Sequence, residues 1–166
     1  MEKAIDLSQF KISHFNSTNQ IPAEHIIAIN GLKHLEIKAL SDKRGADVML
    51  DTISHYSEHV QQFLTLTLES ELIGFVEFTI VDCTIKVLYI VIERSYRRRT
   101  LGSFLYNRLV EIGETIVLNT GVTTESDIRI DAFALPGDRG AKSFFESVKA
   151  KGNLIVMSKY LPRTES

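Results

Sequence analysis

The sequence predicts an α/β fold of the α+β kind, with a mixed, mostly antiparallel central sheet of six to seven strands flanked by about four helices. Three observations carry this. Apolar residues alternate with period two through consecutive runs between 63 and 92, they recur every three to four residues from 101 to 116, and short turn signals divide the runs.

Element by element, a strand is expected around 7–15, followed by a polar turn through Asn16, Ser17, Asn19 and Gln20. Pro22 opens the first helix, because its fixed φ suits a first helical position. Ile26, Ile29, Leu32 and Leu35 form that helix's inner face, with Gly31 interrupting the pattern. Ser41-Asp42-Lys43-Arg44-Gly45 reads as a loop, and a second helix places Met49, Ile53, Tyr56 and Val60 on one stripe.

Phe63-Leu64-Thr65-Leu66-Thr67-Leu68 is a strand, Glu69-Ser70-Glu71 a turn, 72–81 a strand, Asp82-Cys83 a turn and 84–92 a strand, which together make an antiparallel meander. The next helix carries Leu101, Leu105, Leu109, Ile112 and Ile116 on one stripe and packs across the sheet. A Thr-rich loop over 119–126 leads to a strand in which Ile128, Ile130 and Ala132 alternate with charged residues. Pro136-Gly137-Asp138 then turns into a helix holding Ala141, Phe144, Phe145 and Val148, and 154–161 supplies the last strand. With no internal repeat, low-complexity tract or linker, residues 1–166 read as a single domain.

Composition bounds the function. At 166 residues, 44% hydrophobic and 24% charged, the chain can bury a full core. A net charge of −2 argues against a protein built to neutralise phosphate backbones, and beyond Tyr96 no aromatic residues interleave the basic cluster, so no nucleic-acid partner is expected. Cys83 is the only cysteine, the N-terminus lacks an apolar secretion signal and no apolar run spans a bilayer. The expectation is a cytoplasmic protein without a membrane partner.

The chemistry concentrates between 84 and 111. There a β-branched strand meets Tyr96-Arg97-Arg98-Arg99-Thr100-Leu101-Gly102-Ser103 and then a helix. A helix start leaves several backbone N–H groups without intrahelical acceptors, and the helix dipole adds positive potential at the same point. Guanidinium groups grip two phosphate oxygens at once, so this turn suits a pyrophosphate. Taken alone, Arg-Arg-Arg is equally a solvated loop.

Tyr96 to Ser103 resembles the RxxGxG/A loop of the GNAT superfamily of acyl-CoA N-acyltransferases, with Arg97 as the leading Arg and Gly102 as the closing small residue. Thr100 stands where the family usually has its first Gly. A Cβ there disfavours positive φ and limits approach to a phosphate, which bears on coenzyme A affinity. Gly140-Ala141-Lys142-Ser143-Phe144-Phe145-Glu146 is similar to the family's AxxFYE helix, which packs near the acyl-carrier thiol. Phe145 occupies the position where many members carry a tyrosine that protonates the leaving thiolate.

The resemblance implies acetyl-CoA as cosubstrate, no metal, and direct transfer of an acetyl or short acyl group to a primary amine on a small molecule or peptide. It implies that Arg97, Arg98, Arg99, Thr100, Leu101, Gly102 and Ser103 hold the pyrophosphate. The backbone of Ile90, Val91 and Ile92 binds the pantetheine arm and polarises the thioester, with Ala141 and Phe145 at the thiol end. A homodimer is a family-level expectation. Without a tyrosine at 145, the thiolate leaves unassisted, or Ser143 or Tyr106 substitutes.

Glu77, inside the apolar strand Leu72-Ile73-Gly74-Phe75-Val76-Glu77-Phe78, is the candidate base, because a carboxylate is expensive to bury unless it is used. Strict alternation offers the alternative of a half-exposed face shared with Phe75 and Thr79. Glu93 is a second candidate, or an arginine's partner. Two rival functions remain. One is a non-catalytic acyl-CoA-binding or regulatory module, motivated by Thr100 and Phe145. The other is a zinc peptidase, because His55-Tyr56-Ser57-Glu58-His59 matches HxxEH.

Overall fold

The computed structural model describes residues 6–39, 47, 51, 54, 59–97, 100–120 and 128–132. Among the described residues five strands, against the six to seven expected of the whole chain, form one sheet in sequence order: β1 (Phe10–Phe15), β2 (Gln62–Leu68), β3 (Glu71–Val81), β4 (Thr84–Ile92) and β5 (Arg129–Ala132). The first four pair antiparallel and β5 joins β4 in parallel, so the mixed, mostly antiparallel sheet stands as expected. Two long helices are described, α1 (Ala23–Ala39) and α2 (Leu101–Asn119), and they cover opposite faces. The last expected strand, the helix holding Ala141 and Phe145, and most of the helix expected over 49–60 lie outside the described residues. Of that segment Ser54 is helical, its hydroxyl donating to the Asp51 carbonyl at 2.7 Å, whereas Val60 lies beyond any helix and is exposed.

The β2–β3 hairpin closes on Glu69 and Ser70, with φ of 50° and 69°. Two successive left-handed residues match the right-handed twist of the strands they join, and this geometry sets the register. Asp82 at φ 55° opens the β3–β4 turn, where an aspartate tolerates the left-handed region well.

Two β-bulges then decide which side chains face which helix. Glu77 pairs with Tyr89 but Phe78 pairs with Val87, which leaves Leu88 as an extra residue on β4. Leu88 and Tyr89 consequently both pack with the α1-side cluster, whereas unbroken alternation from Val87 would have turned Tyr89 to α2. A second shift, between Leu66 and Thr67, does the same for β3 around Ile73.

The α2 face is an apolar core of Leu64, Leu66, Ile73, Val76, Phe78, Ile85 and Val87 against Leu101, Leu105 and Leu109. The helical stripe continues through Gly113 and Val117, and Ile112 and Ile116 only flank it. An i+4 row runs straight along the contact, and Gly113 is where it comes closest to the sheet. A Cβ there would sit 2.3 Å from Ile85 Cδ1.

The other face is different. Thr65, Thr67, Glu77, Thr79 and Asp131 are the described polar residues that the structure buries, and alternation along their strands puts all of them on the side facing α1. Glu77 is 3% exposed, so the half-exposed alternative for its face does not hold.

On α1, Ile29 is buried, Ile26 and Leu32 are half-buried, and Leu35 is 62% exposed, which corrects the expected inner face. At 3.6 residues per turn, the stripe through Ile29 passes through His25, Lys33 and Glu36 rather than Leu35. Each of these polar residues reaches a partner on the sheet or the following loop. His25 Nε2 donates to the Ser70 carbonyl at 3.1 Å, Lys33 pairs with Glu77, and Glu36 pairs with Arg97 at 3.0 Å. Gly31 leaves the helix unbroken and faces open space.

Asp131 ties β5 to β4. It lies in register with Lys86, whose Nζ is 2.5 Å from Oδ2, and Arg129 adds a contact at 3.1 Å. Burial pushes the carboxyl up, but the Lys86 bond and charge and the Arg129 charge outweigh it, holding the group below its ordinary 3.8. Asp131→Ala removes the buried carboxylate that Lys86 and Arg129 share, and urea unfolding is expected to show a loss of about 3 kcal/mol. A carboxyl held low stabilises the fold above its ordinary value, and that contribution disappears as pH falls through the folded value. Acid titration of wild type should therefore show an extra loss of stability below about pH 3.8 that Asp131→Asn lacks.

Candidate active site

The site begins where β4 ends. The Glu93 N–H donates to the Ile73 carbonyl at 2.7 Å, so by alternation the main-chain groups of Ile92 and Ile90 turn to the opposite edge of β4, towards β5. Among the described residues, β5 pairs with β4 only from Thr84 to Val87, next to the Leu88 bulge. Val91 and Ile92 are buried and Ile90 is half-buried.

A short 3-10 turn over Arg94–Tyr96 follows, in which Ser95 donates its hydroxyl to Glu93 at 2.9 Å. Arg97 then turns back on the strand. Its Nε donates to the Ile92 carbonyl at 2.8 Å and its terminal nitrogen meets Glu36 of α1 at 3.0 Å. The pair is partly solvated and contributes little energy alone. With the carbonyl bond added, one planar guanidinium fixes the loop to both β4 and α1.

Thr100 is the N-cap of α2, with φ 64° and ψ 2°, and its side chain makes no capping bond. A β-branched residue in the left-handed region is a genuine outlier, held there by the structure around it. The first intrahelical bond runs from the Phe104 N–H to the Thr100 carbonyl at 3.0 Å. The amides of Leu101, Gly102 and Ser103 precede it and have no acceptor within the helix. Leu101 is buried against the sheet, so these donors sit on a fixed platform, with Gly102 and Ser103 half-exposed around them. Fixed N–H groups at a positive helix end are groups that can receive an anion. Arg98, Arg99, Ala141, Ser143 and Phe145 lie outside the described residues.

On the α1 face, Glu77 pairs with Lys33. Phe63 and Tyr89 are its direct cross-strand neighbours, and the Lys33 ammonium lies 5.7 Å and 4.9 Å from their ring centroids. Burial first, and the Glu77 charge second, push the Tyr89 phenol up to about 12. Tyr89 therefore stays a proton-bearing hydroxyl across the physiological range. Tyr106 on α2 is also raised, by burial.

The sequence model of the acetyltransferase (GNAT) family matches residues 30–133, which covers α1 from its middle through all of β5. The chain belongs to the GNAT acetyltransferase family. Its substrate pair therefore includes acetyl-CoA, and its activity is acyl-CoA N-acyltransfer.

Solved structures agree on the fold. An aminoglycoside acetyltransferase from an uncultured soil metagenomic sample, solved with sisomicin, superposes with a TM-score of 0.60 at 13% identity, over 87% of this chain and 90% of that one. An aminoglycoside N-acetyltransferase solved with CoA gives 0.56 at 13% identity, over 87% and 89%. A ribosomal-protein alanine N-acetyltransferase from Escherichia coli gives 0.52 at 16% identity, over 84% and 76%. No curated protein matches.

In this GNAT chain the structure brings Ile92, Arg97 and the start of α2 into one loop, and places Glu77 in the neighbouring strand, on the α1 side. Sequence reading missed Lys33, Glu36 and Tyr89 as members of the site. The 3.6 period through Ile29 could have placed Lys33 and Glu36, but nothing local marks the bulge that turns Tyr89. The HxxEH segment lies outside the described residues apart from His59, which is exposed, and no cluster of metal-binding side chains forms among the described residues.

The Thr100 conformation gives a direct test. Glycine adopts the left-handed region freely, so Thr100→Gly relieves about 1 kcal/mol of backbone strain. Urea unfolding should show that gain, and calorimetry should show coenzyme A binding at least as tight as in wild type.

Proposed function

We propose that this GNAT enzyme transfers an acetyl group from acetyl-CoA directly to the primary amine of a small molecule, with no covalent enzyme intermediate, in the cytoplasm. The observation that carries the reading is the start of α2, where three platform amides precede the first intrahelical bond, beside a loop pinned by Arg97.

The amides through Ser103, with Arg98 and Arg99, hold the diphosphate, while Arg97 contributes its main chain and uses its side chain to set the loop. The main-chain groups of Ile90 and Ile92, which turn away from β3, seat the pantetheine arm and polarise the thioester carbonyl, supplying donors where negative charge develops, whereas the main chain of Val91 faces Phe75 of β3 and takes no part, against the sequence expectation. Glu77 takes the proton that the amine must lose before it can attack. With phenylalanine at 145 the thiolate leaves unassisted, which a thiol with a pKa of about 8.5 permits near neutrality. Glu77 and Tyr89 sit on the face where the described buried polar groups gather, and this favours the α1 side as the acceptor side.

Support for a small-molecule acceptor comes from the two aminoglycoside acetyltransferases that share the fold. A ribosomal-protein acetyltransferase shares it too, so a peptide amine is the second reading.

Gly102→Glu puts a bulky anion among the amides that receive the diphosphate. Calorimetry should then detect no coenzyme A binding while circular dichroism and the melting temperature stay near wild type. Unchanged affinity in a folded variant would remove the phosphate loop from the mechanism and the acyl-transfer reading with it.

A further inference from the structure

We propose that Phe63, Glu77 and Tyr89 form the subsite for the acceptor's alkylammonium group, and that Lys33 fills it in the free enzyme as an internal stand-in. The inference rests on the reading of the α1 side as the acceptor side and names the amine that side takes.

Three adjacent strands present these residues in one row, since Phe63 pairs with Glu77 and Glu77 with Tyr89. All three are buried. A carboxylate between two aromatic side chains recognises a compact cation by charge and by ring quadrupole together. The Lys33 ammonium occupies that position, in contact with Glu77 and 4.9 Å from the centre of the Tyr89 ring.

A tether alone explains the arrangement poorly. Desolvating two charges costs about as much as their attraction returns, and an apolar pair of similar size would hold α1 to the sheet as well. The Lys33 side chain is 24% exposed while Glu77 is 3% exposed, so the lysine stem enters the row from the surface. An unbranched alkyl arm carrying a primary ammonium can follow the same path once that stem swings away. Tyr89 immediately precedes Ile90, where the thioester is seated, so an amine in the row lies close to the acyl carbon.

The class of acceptor follows from the stand-in: a primary ammonium on a straight methylene arm, as in a diamine, a polyamine or a lysyl side chain. In the reaction Glu77 accepts a proton from the ammonium, the freed nitrogen bonds to the acyl carbon and the carbon–sulfur bond breaks. The thiolate takes up a proton. The ammonium and acetyl-CoA thus give the N-acetyl amine, CoA thiol and one released proton.

The test uses n-butylamine, without acetyl-CoA, on wild type, Lys33→Ala and the double variant Lys33→Ala/Glu77→Gln. Calorimetry should show n-butylamine binding at least tenfold tighter in Lys33→Ala than in wild type, because an internal competitor acts at roughly millimolar or higher effective concentration. The double variant should lose that gain, and n-butanol should bind neither. Equal affinity in wild type and Lys33→Ala, or equal binding of butanol and butylamine, would reduce Lys33 to a structural tether.

Should Lys33→Ala fail to fold, it is refolded with each probe. Recovery with butylamine alone supports the subsite, and recovery with both or neither overturns it. Coenzyme A titration of the wild type runs in parallel. Normal coenzyme A binding with a failed amine test discards the subsite alone, whereas absent coenzyme A binding discards acyl transfer itself.

Discussion

A helix cannot bond its own first amides, and in this chain that constraint shapes the whole approach to α2. Those donors must face water, a side-chain cap or a ligand. Thr100 makes no side-chain cap and adopts a left-handed turn in which its carbonyl still receives the Phe104 bond. The helix end is thereby left able to take an anion. Leu101 holds it against the core, and Arg97 holds the preceding turn against β4 and α1, so little is free to shift when a charged group arrives. Strain concentrated at Thr100 is what a binding site tolerates and an ordinary turn relaxes away.

The sheet divides its labour between faces. Against α2 it is apolar, close-packed and tight enough that Gly113 has no room for a methyl group. Against α1 it buries hydroxyls and two carboxylates, each carboxylate paired with a half-buried lysine. Burying such groups is unfavourable unless each finds a partner, and the partners come from different parts of the chain: Lys33 from α1, Lys86 from β4 and the Val60 carbonyl for Thr79. A scaffold face needs none of this. That contrast supports the second face as the proposed acceptor side.

How much of this could be read from the residues depended on how local each feature is. The meander, both hairpin turns, the β5 strand and the start of α2 were legible because each is written in consecutive residues. The inner face of α1 was misread because only apolar residues were counted, whereas the stripe through Ile29 runs on through Lys33 and Glu36, whose charges find partners that begin at position 77. Leu35 is apolar but lies about a third of a turn off that stripe, and it ended up in solvent. Glu77 could be singled out as a carboxylate in an apolar strand, yet its partner could not, since pairing across 44 residues leaves no local mark. The bulge at Leu88 was invisible for the same reason: one extra residue changes facing without changing composition.

That bulge also bears on how one fold serves many acceptors. The proposed thioester end uses main-chain groups, which any sequence supplies, and identities of 13% to 16% go with the same fold. The proposed acceptor end uses side chains on β2, β3 and β4, and their facing is set by register. Moving the extra residue by one position would turn Tyr89 towards α2 and a different residue towards Glu77, altering the amine subsite while leaving the phosphate loop untouched. On the proposed reading, acceptor choice is a matter of register as much as of residue type, and for that reason the acyl donor is more readily inferred from a family resemblance than the acceptor is.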